Sequence, residues 1–136
     1  MEKTNVLFLL TPKTKVACLT ESMNVRQALE KMRANGYSAI PLIAEDGRYL
    51  GTISEGDLLW HIVQDEDIRM EGLEDVPITQ LLKANKVPAV KVDADAGELA
   101  DMIINQNFVP VVDDRNVLMG IVTRKRVMQE LFRKEA

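Results

Sequence analysis

The sequence predicts a mixed α/β (α+β) fold made of two copies of one strand–helix–strand–strand–helix unit. Three observations carry that expectation. Ile40-Pro41-Leu42-Ile43 returns as Val109-Pro110-Val111-Val112, and Gly51-Thr52-Ile53-Ser54 returns as Gly120-Ile121-Val122-Thr123, both at an offset of 69 residues (41 to 110, 51 to 120). In each copy a short strand leads into apolar residues at helical spacing, and short apolar runs of strand length follow. Turn-forming clusters, Glu45-Asp46-Gly47-Arg48 and Asp113-Asp114-Arg115-Asn116, separate those runs.

In the first copy a short strand is expected around Val16 to Leu19. A helix follows from about Val25 to Asn35, because Val25, Ala28, Leu29 and Met32 share one helical face. Gly36 is its C-cap candidate. Ala39 to Ile43 and Tyr49 to Ile53 form a hairpin, and a second helix runs from about Glu55 through Val63. The second copy gives a strand near Ala89 to Val92 and a helix from about Glu98 to Asn105. Strands over Phe108 to Val112 and Val117 to Val122 come next, then a final helix from Arg124. The offset drifts to 70 at Leu29/Leu99 and Met32/Met102 and to 71 at Lys15/Lys86, as single-residue loop deletions produce.

The division expected is repeat 1 with its N-terminal segment over 1–66, a linker over 67–77 and repeat 2 over 78–136. The stretch Gln64 to Asp75 is acidic and shows no clear period, as a solvated linker would be. Pro77 can open a short helix, Ile78 to Ala84, at its N1 position. A unit of about sixty residues buries little surface alone. The two repeats are therefore expected to pack as a pseudo-symmetric pair.

Composition narrows the function. With 46% hydrophobic and 28% charged residues the chain reads as an ordinary globular protein. Aromatic residues are only 4%, so Leu, Ile, Val, Met and Ala must build the core. A net charge of -4 argues against capture of nucleic acid along a broad face. The single Cys18 allows no internal disulfide or zinc cluster and reads as a small buried side chain. The early apolar run Val6 to Leu10 is too short for a secretory signal or a membrane span, so a cytoplasmic protein is expected. No metal or cofactor is expected. The single histidine, His61, has no nucleophile in a recognisable arrangement, and Asp65-Glu66-Asp67 lacks the spacing of a calcium loop. The chain is expected to be non-catalytic.

Each copy carries a strand with a central proline, a turn, and then Gly-φ-φ-Ser/Thr-x-x-Asp/Arg at the start of a helix. This ordered, duplicated combination resembles a tandem pair of CBS domains, a Bateman module, over nearly the whole chain. The resemblance implies a regulatory module that binds an adenine nucleotide. The chemistry is consistent with that. Ser54 and Thr123 each fall where a strand enters a helix, and free N–H groups and the helix dipole attract anions there. Asp57, one turn on, can accept from a ribose diol. The plainer alternative is that Ser54 and Thr123 only cap their helices. Val16-Ala17 and Ser38-Ala39-Ile40 offer small side chains where backbone can approach a base edge. Tyr37 either stacks on a base or sits half-buried under the sheet. Pro41 and Pro110 limit edge pairing or shape a pocket wall.

The two copies differ at one position. Asp57 of the first is matched by Arg126 in the second, and Arg124 directly follows Thr123. Exchanging an acid for a guanidinium removes a diol acceptor and adds a phosphate donor. Lys15-Val16-Ala17, Gly36-Tyr37-Ser38-Ala39-Ile40-Pro41 and Val122-Thr123-Arg124 are similar to the stand-alone CBS-pair receptors for cyclic di-AMP. That resemblance implies phosphates on Lys15 and Arg124, adenine against Ala17, Ser38 and Ala39, and Thr123 beside the ribose-phosphate. A main site would use Lys15, Val16, Ala17, Tyr37, Ser38, Ala39, Ile40, Thr123, Arg124 and Arg126. A second site would take Ser54, Asp57 and Val109. The alternatives are an AMP, ADP or ATP energy sensor using Ser54 and Asp57, and an interaction module with a vestigial site. The resemblance also implies a homodimer, with the helix from Arg124 to Lys134 as the candidate interface. It implies a regulated partner protein, the stringent-response synthetase being one such target; from the charge and the short apolar runs, neither nucleic acid nor membrane is expected as a partner.

Overall fold

The structure, a computed structural model, describes residues 5–64, 70–82 and 87–135. In chain order the elements are α1 (Val6–Leu9), β1 (Thr11–Pro12), β2 (Leu19–Thr20), α2 (Val25–Asn35), β3 (Ala39–Ile43), β4 (Tyr49–Ser54) and α3 (Glu55–Gln64). There follow β5 (Val90–Lys91), α4 (Ala96–Asn105), β6 (Phe108–Val112), β7 (Leu118–Thr123) and α5 (Arg124–Glu135). Short 3-10 turns cover Lys13–Lys15, Met70–Asp75 and Ile78–Leu81. The predicted order of strands and helices is present in both repeats.

The chain forms two compact units, Ala17–Lys86 and Met1–Val16 with Val87–Ala136. The expected division at 66 and 78 follows the sequence repeat; compactness follows strand pairing and short-helix packing. In the first-repeat unit the sheet order is β2-β3-β4, with β2 parallel and β4 antiparallel to β3. In the second-repeat unit β5 and β7 flank β6 in the same manner, and β1 adds antiparallel to β7. Both hairpins shift register at the equivalent place, between Leu42 and Ile43 and between Val111 and Val112.

Local chemistry sets the boundaries. Helix α2 starts at a capping box: Asn24 accepts from the Gln27 N–H, and the Gln27 side chain accepts from the Asn24 N–H. Gly36 ends it in the left-handed region at φ 66°, as expected. Helix α4 starts at Ala96, ahead of the expected Glu98, because Asp95 caps it by accepting from the Glu98 N–H at 2.7 Å. The first strand is Leu19–Thr20 in place of Val16 to Leu19, since only these residues pair with Leu42 and Ile43. Pro41 and Pro110 each stand one residue ahead of where the parallel neighbour begins to pair, at Leu42 and Val111. A residue without an N–H is suited to that position.

Two aliphatic cores form. One gathers Leu19, Val25, Ala28, Met32, Ile40, Leu42, Ile53 and Leu58, with Leu73, Ile78 and Leu81. The other gathers Val6, Leu9, Val90, Leu99, Ile103, Val109, Val111, Val122 and Val127. Two expectations are corrected here. The acidic stretch is no plain linker: Met70–Asp75 turns in 3-10 geometry and buries Leu73 in the first core, while 65–69 lie outside the described residues. Instead of a helix from Ile78 to Ala84, a 3-10 turn spans Ile78–Leu81 with Pro77 at its N-cap; 83–86 lie outside the described residues. Cys18 is buried, as its apolar setting implied.

Candidate functional site

In the first-repeat unit, Ser38 and Ala39 open β3 at the same hairpin end where β4 closes on Ser54. Ala39 pairs with Ser54, and the Ser38 carbonyl accepts from the Glu55 N–H at 2.9 Å. Ser38 is exposed, Ala39 half-buried and Ile40 fully buried in the core. The Ser54 N–H donates to Asp57 Oδ2 at 2.8 Å, and the Asp57 N–H donates to Ser54 Oγ at 3.1 Å. This is a reciprocal capping box. The capping alternative for Ser54 is therefore realised, and Asp57 closes the box. Tyr37 is half-buried, packed on the first core, and lines an apolar cleft of about 450 Å³ with Leu29, Met32, Leu58 and Leu59. Ala17 lies half-buried ahead of β2 and also packs on that core.

In the second-repeat unit the equivalent hairpin end carries Val109, Thr123 and Arg124. Val109 is fully buried opposite Val122, so its side chain belongs to the core. Thr123 Oγ1 accepts from the Arg126 N–H at 3.1 Å, and an arginine at 126 cannot return the bond as Asp57 does. Arg124 reaches back to α4: its Nε donates to the Ile103 carbonyl at 3.0 Å and its Nη2 to that of Ile104 at 3.3 Å. Those carbonyls lie at a helix C-terminus, where a cation is favourable. Arg126 Nη2 donates to the Phe8 carbonyl at 3.3 Å, and its Nη1 lies 3.5 Å from Glu130 Oε2. Glu130 is buried and also pairs with Arg133 at 2.9 Å. Lys15 is exposed on the 3-10 turn that packs on β7, and Val16, half-buried, closes that turn by donating to the Lys13 carbonyl at 3.1 Å.

The sequence did not single out Val6, Leu9 or Glu130. A signal for the first two existed. Val6-x-x-Leu9 and Ile78-x-x-Leu81 have the same apolar spacing ahead of Lys15-Val16 and Lys86-Val87, and all four side chains are buried. Elsewhere, burial pushes the Tyr49 phenol up to about 12, opposed by its 2.7 Å hydrogen bond with the Thr52 hydroxyl. At the first hairpin turn, hydrogen bonds from the Arg48 backbone and side chain hold the Asp46 carboxyl below its usual value. Among the described residues no group of three His, Cys, Asp or Glu is placed to hold a metal ion. No helix among them is long and apolar enough to cross a membrane.

Two repeats, each a hairpin flanked by a parallel strand and followed by a capped helix, define a tandem α/β repeat protein. The CBS domain profile matches residues 9–64 and 74–133, and the chain belongs to the CBS domain family. It is 30% identical over 117 residues to the cyclic di-AMP receptor B of Bacillus subtilis, covering 86% of this chain and 79% of that one. It is also similar to the crystal structure of the CbpB protein of Listeria monocytogenes in complex with c-di-AMP. That match has a TM-score of 0.83 at 26% identity and covers 94% of this chain and 95% of the other. The structure of CBSX2 in complex with AMP shares the fold at a TM-score of 0.80 and 21% identity, over 97% and 98% of the two chains.

Proposed function

We propose that this protein is a non-catalytic, cytoplasmic regulatory module that binds an adenine nucleotide, with cyclic di-AMP as its ligand. One observation carries the reading: 30% identity to a cyclic di-AMP receptor over 86% of the chain. The similarity to a CbpB structure with c-di-AMP bound supports it. In this reading Lys15 and Arg124 hold phosphates, Ala17, Ser38 and Ala39 meet the adenine, and Val16, Tyr37 and Thr123 complete the pocket, while Ile40 offers only backbone because its side chain is buried in the first core. Arg124 suits its role. Two of its five donors are fixed on the Ile103 and Ile104 carbonyls, which orients the fork and leaves the remaining N–H groups for an oxyanion.

Ligand occupancy then changes the affinity of the module for a regulated partner protein. Self-association belongs to the same reading. Met128, Leu131 and Phe132 of α5 remain exposed, as do Leu59 and Val63 of α3. The side chain of Lys134, the expected end of that interface, lies outside the described residues.

Thermal unfolding with cyclic di-AMP, cyclic di-GMP, AMP, ADP and ATP tests the proposal. A ligand at 100 times its dissociation constant stabilises by about 2.7 kcal/mol. The expected result is a midpoint shift with cyclic di-AMP that is lost in Lys15→Ala and in Arg124→Ala. A larger shift with AMP or ATP, lost in Asp57→Ala, replaces the reading with an energy sensor. No shift with any nucleotide leaves an interaction module with a vestigial site.

A further inference from the structure

Positions Asp57 and His61 of α3 correspond to Arg126 and Glu130 of α5 at the repeat offset. Each pair faces the short 3-10 or helical turn belonging to its unit. In the first-repeat unit that turn is Ile78–Leu81. A polar cleft of about 420 Å³ remains there, lined by Asp57, Trp60, His61, Gln64, Gln80 and Leu81, and the His61 Nε2 has no hydrogen-bond partner among the described residues. In the second-repeat unit the turn is Val6–Leu9, and there the guanidinium of Arg126 joins the Phe8 carbonyl to the buried carboxylate of Glu130. Where one repeat has a cleft, the other has a tether.

We propose that Arg126 is a positioning residue that holds the segment from Val6 to Val16 on the second repeat, and not a phosphate ligand. The inference deepens the reading given above, because the held segment ends at Lys15 and Val16. A four-residue helix cannot persist by its own hydrogen bonds. What fixes it is tertiary: the buried side chains of Val6 and Leu9 with Leu10 packed beside them, the Arg126 contact to Phe8, two residue pairs, Thr11 with Ile121 and Pro12 with Gly120, and the packing of the Lys13–Lys15 turn on β7. Each of these anchors contributes to how much of the time Lys15 is in place. The charge of Arg126 is already matched by Glu130, and that carboxylate is shared with Arg133. A phosphate would have to displace these contacts, whereas the uncommitted donors of Arg124 require no such exchange.

The test is hydrogen–deuterium exchange of the free protein combined with calorimetric titration of cyclic di-AMP, on wild type, Arg126→Ala and Val6→Ala. Val6→Ala loosens the same segment and leaves every arginine in place. Both variants are expected to raise exchange across residues 6–16 while the β6–β7 hairpin stays protected. Both are expected to weaken cyclic di-AMP by roughly tenfold, since affinity falls with the fraction of competent protein. Arg126→Ala that weakens the nucleotide without raising exchange overturns the proposal in favour of a phosphate ligand. Raised exchange with unchanged affinity overturns the link between the segment and the site. If wild type gives no heat with cyclic di-AMP, the ligand reading falls, and exchange alone still decides whether Arg126 holds the segment.

Discussion

Gly120 sits in β7 opposite Pro12, where the N-terminal strand pairs along the edge of the second repeat's sheet. A Cβ built there would fall on the backbone carbonyl oxygen of Thr11 and would touch the Leu10 side chain at 3.0 Å. Backbone cannot yield as a flexible side chain can, so Gly120→Ala must push β1 off β7. The sign of the effect discriminates. In an unobstructed strand, alanine for glycine stabilises by about 0.4–1 kcal/mol through the unfolded chain. Overpacking costs about 1–3 kcal/mol, and here it dominates. For a chain of 136 residues the entropy of unfolding makes 1 kcal/mol worth about 3–4 °C. The variant is therefore expected to melt about 4–10 °C lower by circular dichroism. Gly72→Ala is the control, because a Cβ at Gly72 meets nothing within 4 Å. A Gly120→Ala midpoint equal to or above that of wild type would refute the close approach of β1 and β7.

Leu73→Ala should lower stability by about 2–5 kcal/mol in urea titration, the cost of emptying a core site, since Leu73 is only 1% exposed. A loss under about 1 kcal/mol would return the Met70–Asp75 turn to the status of linker. Tyr49 supplies a pH test. Its folded value of about 12 exceeds the unfolded value near 10, so the neutral phenol is favoured by folding. Its contribution is complete below pH 10 and is lost as pH rises through 12, at about 1.4 kcal/mol per unit. Stability measured from pH 9 to 12 should therefore fall more steeply in wild type than in Tyr49→Phe, and parallel curves would contradict burial as the cause.

The regular elements were legible in the sequence because periodicity and turn chemistry act locally. Val25, Ala28 and Met32 announce α2, and Gly36 stops it by the one conformation glycine adopts readily. Duplication did the rest, since Val109 to Val112 repeats Ile40 to Ile43 and both become central strands. Boundaries set by side-chain caps were harder: Asp95 starts α4 two residues ahead of the apolar pattern. The junction motif was legible as residues, and its chemistry only as two alternatives, a phosphate seat or a helix cap. Ser54 and Asp57 satisfy one another, and Arg124 satisfies the end of α4, so hydroxyl, carboxylate and guanidinium all have structural employment before any ligand arrives.

What the repeat concealed was which segment belongs to which unit. Sequence order assigns Val6 to Leu9 to the first repeat and Ile78 to Leu81 to the second, yet Val6 and Leu9 pack with Val122 and Val127, and Ile78 and Leu81 pack with Ile53 and Leu58. Each repeat therefore completes its core with the short apolar turn that precedes the other. Alternation of apolar residues cannot reveal such an exchange, because it states that a face is buried and not against what. The same exchange gives the substitution at Arg126 its physical sense. An aspartate there would close a capping box on Thr123, as Asp57 does on Ser54, and would leave the Phe8 carbonyl and Glu130 without the guanidinium that joins them. An arginine gives up half the capping box and in return neutralises a buried acid and holds the N-terminal turn. The departure from the repeat pattern thus follows from the segment that lies on it.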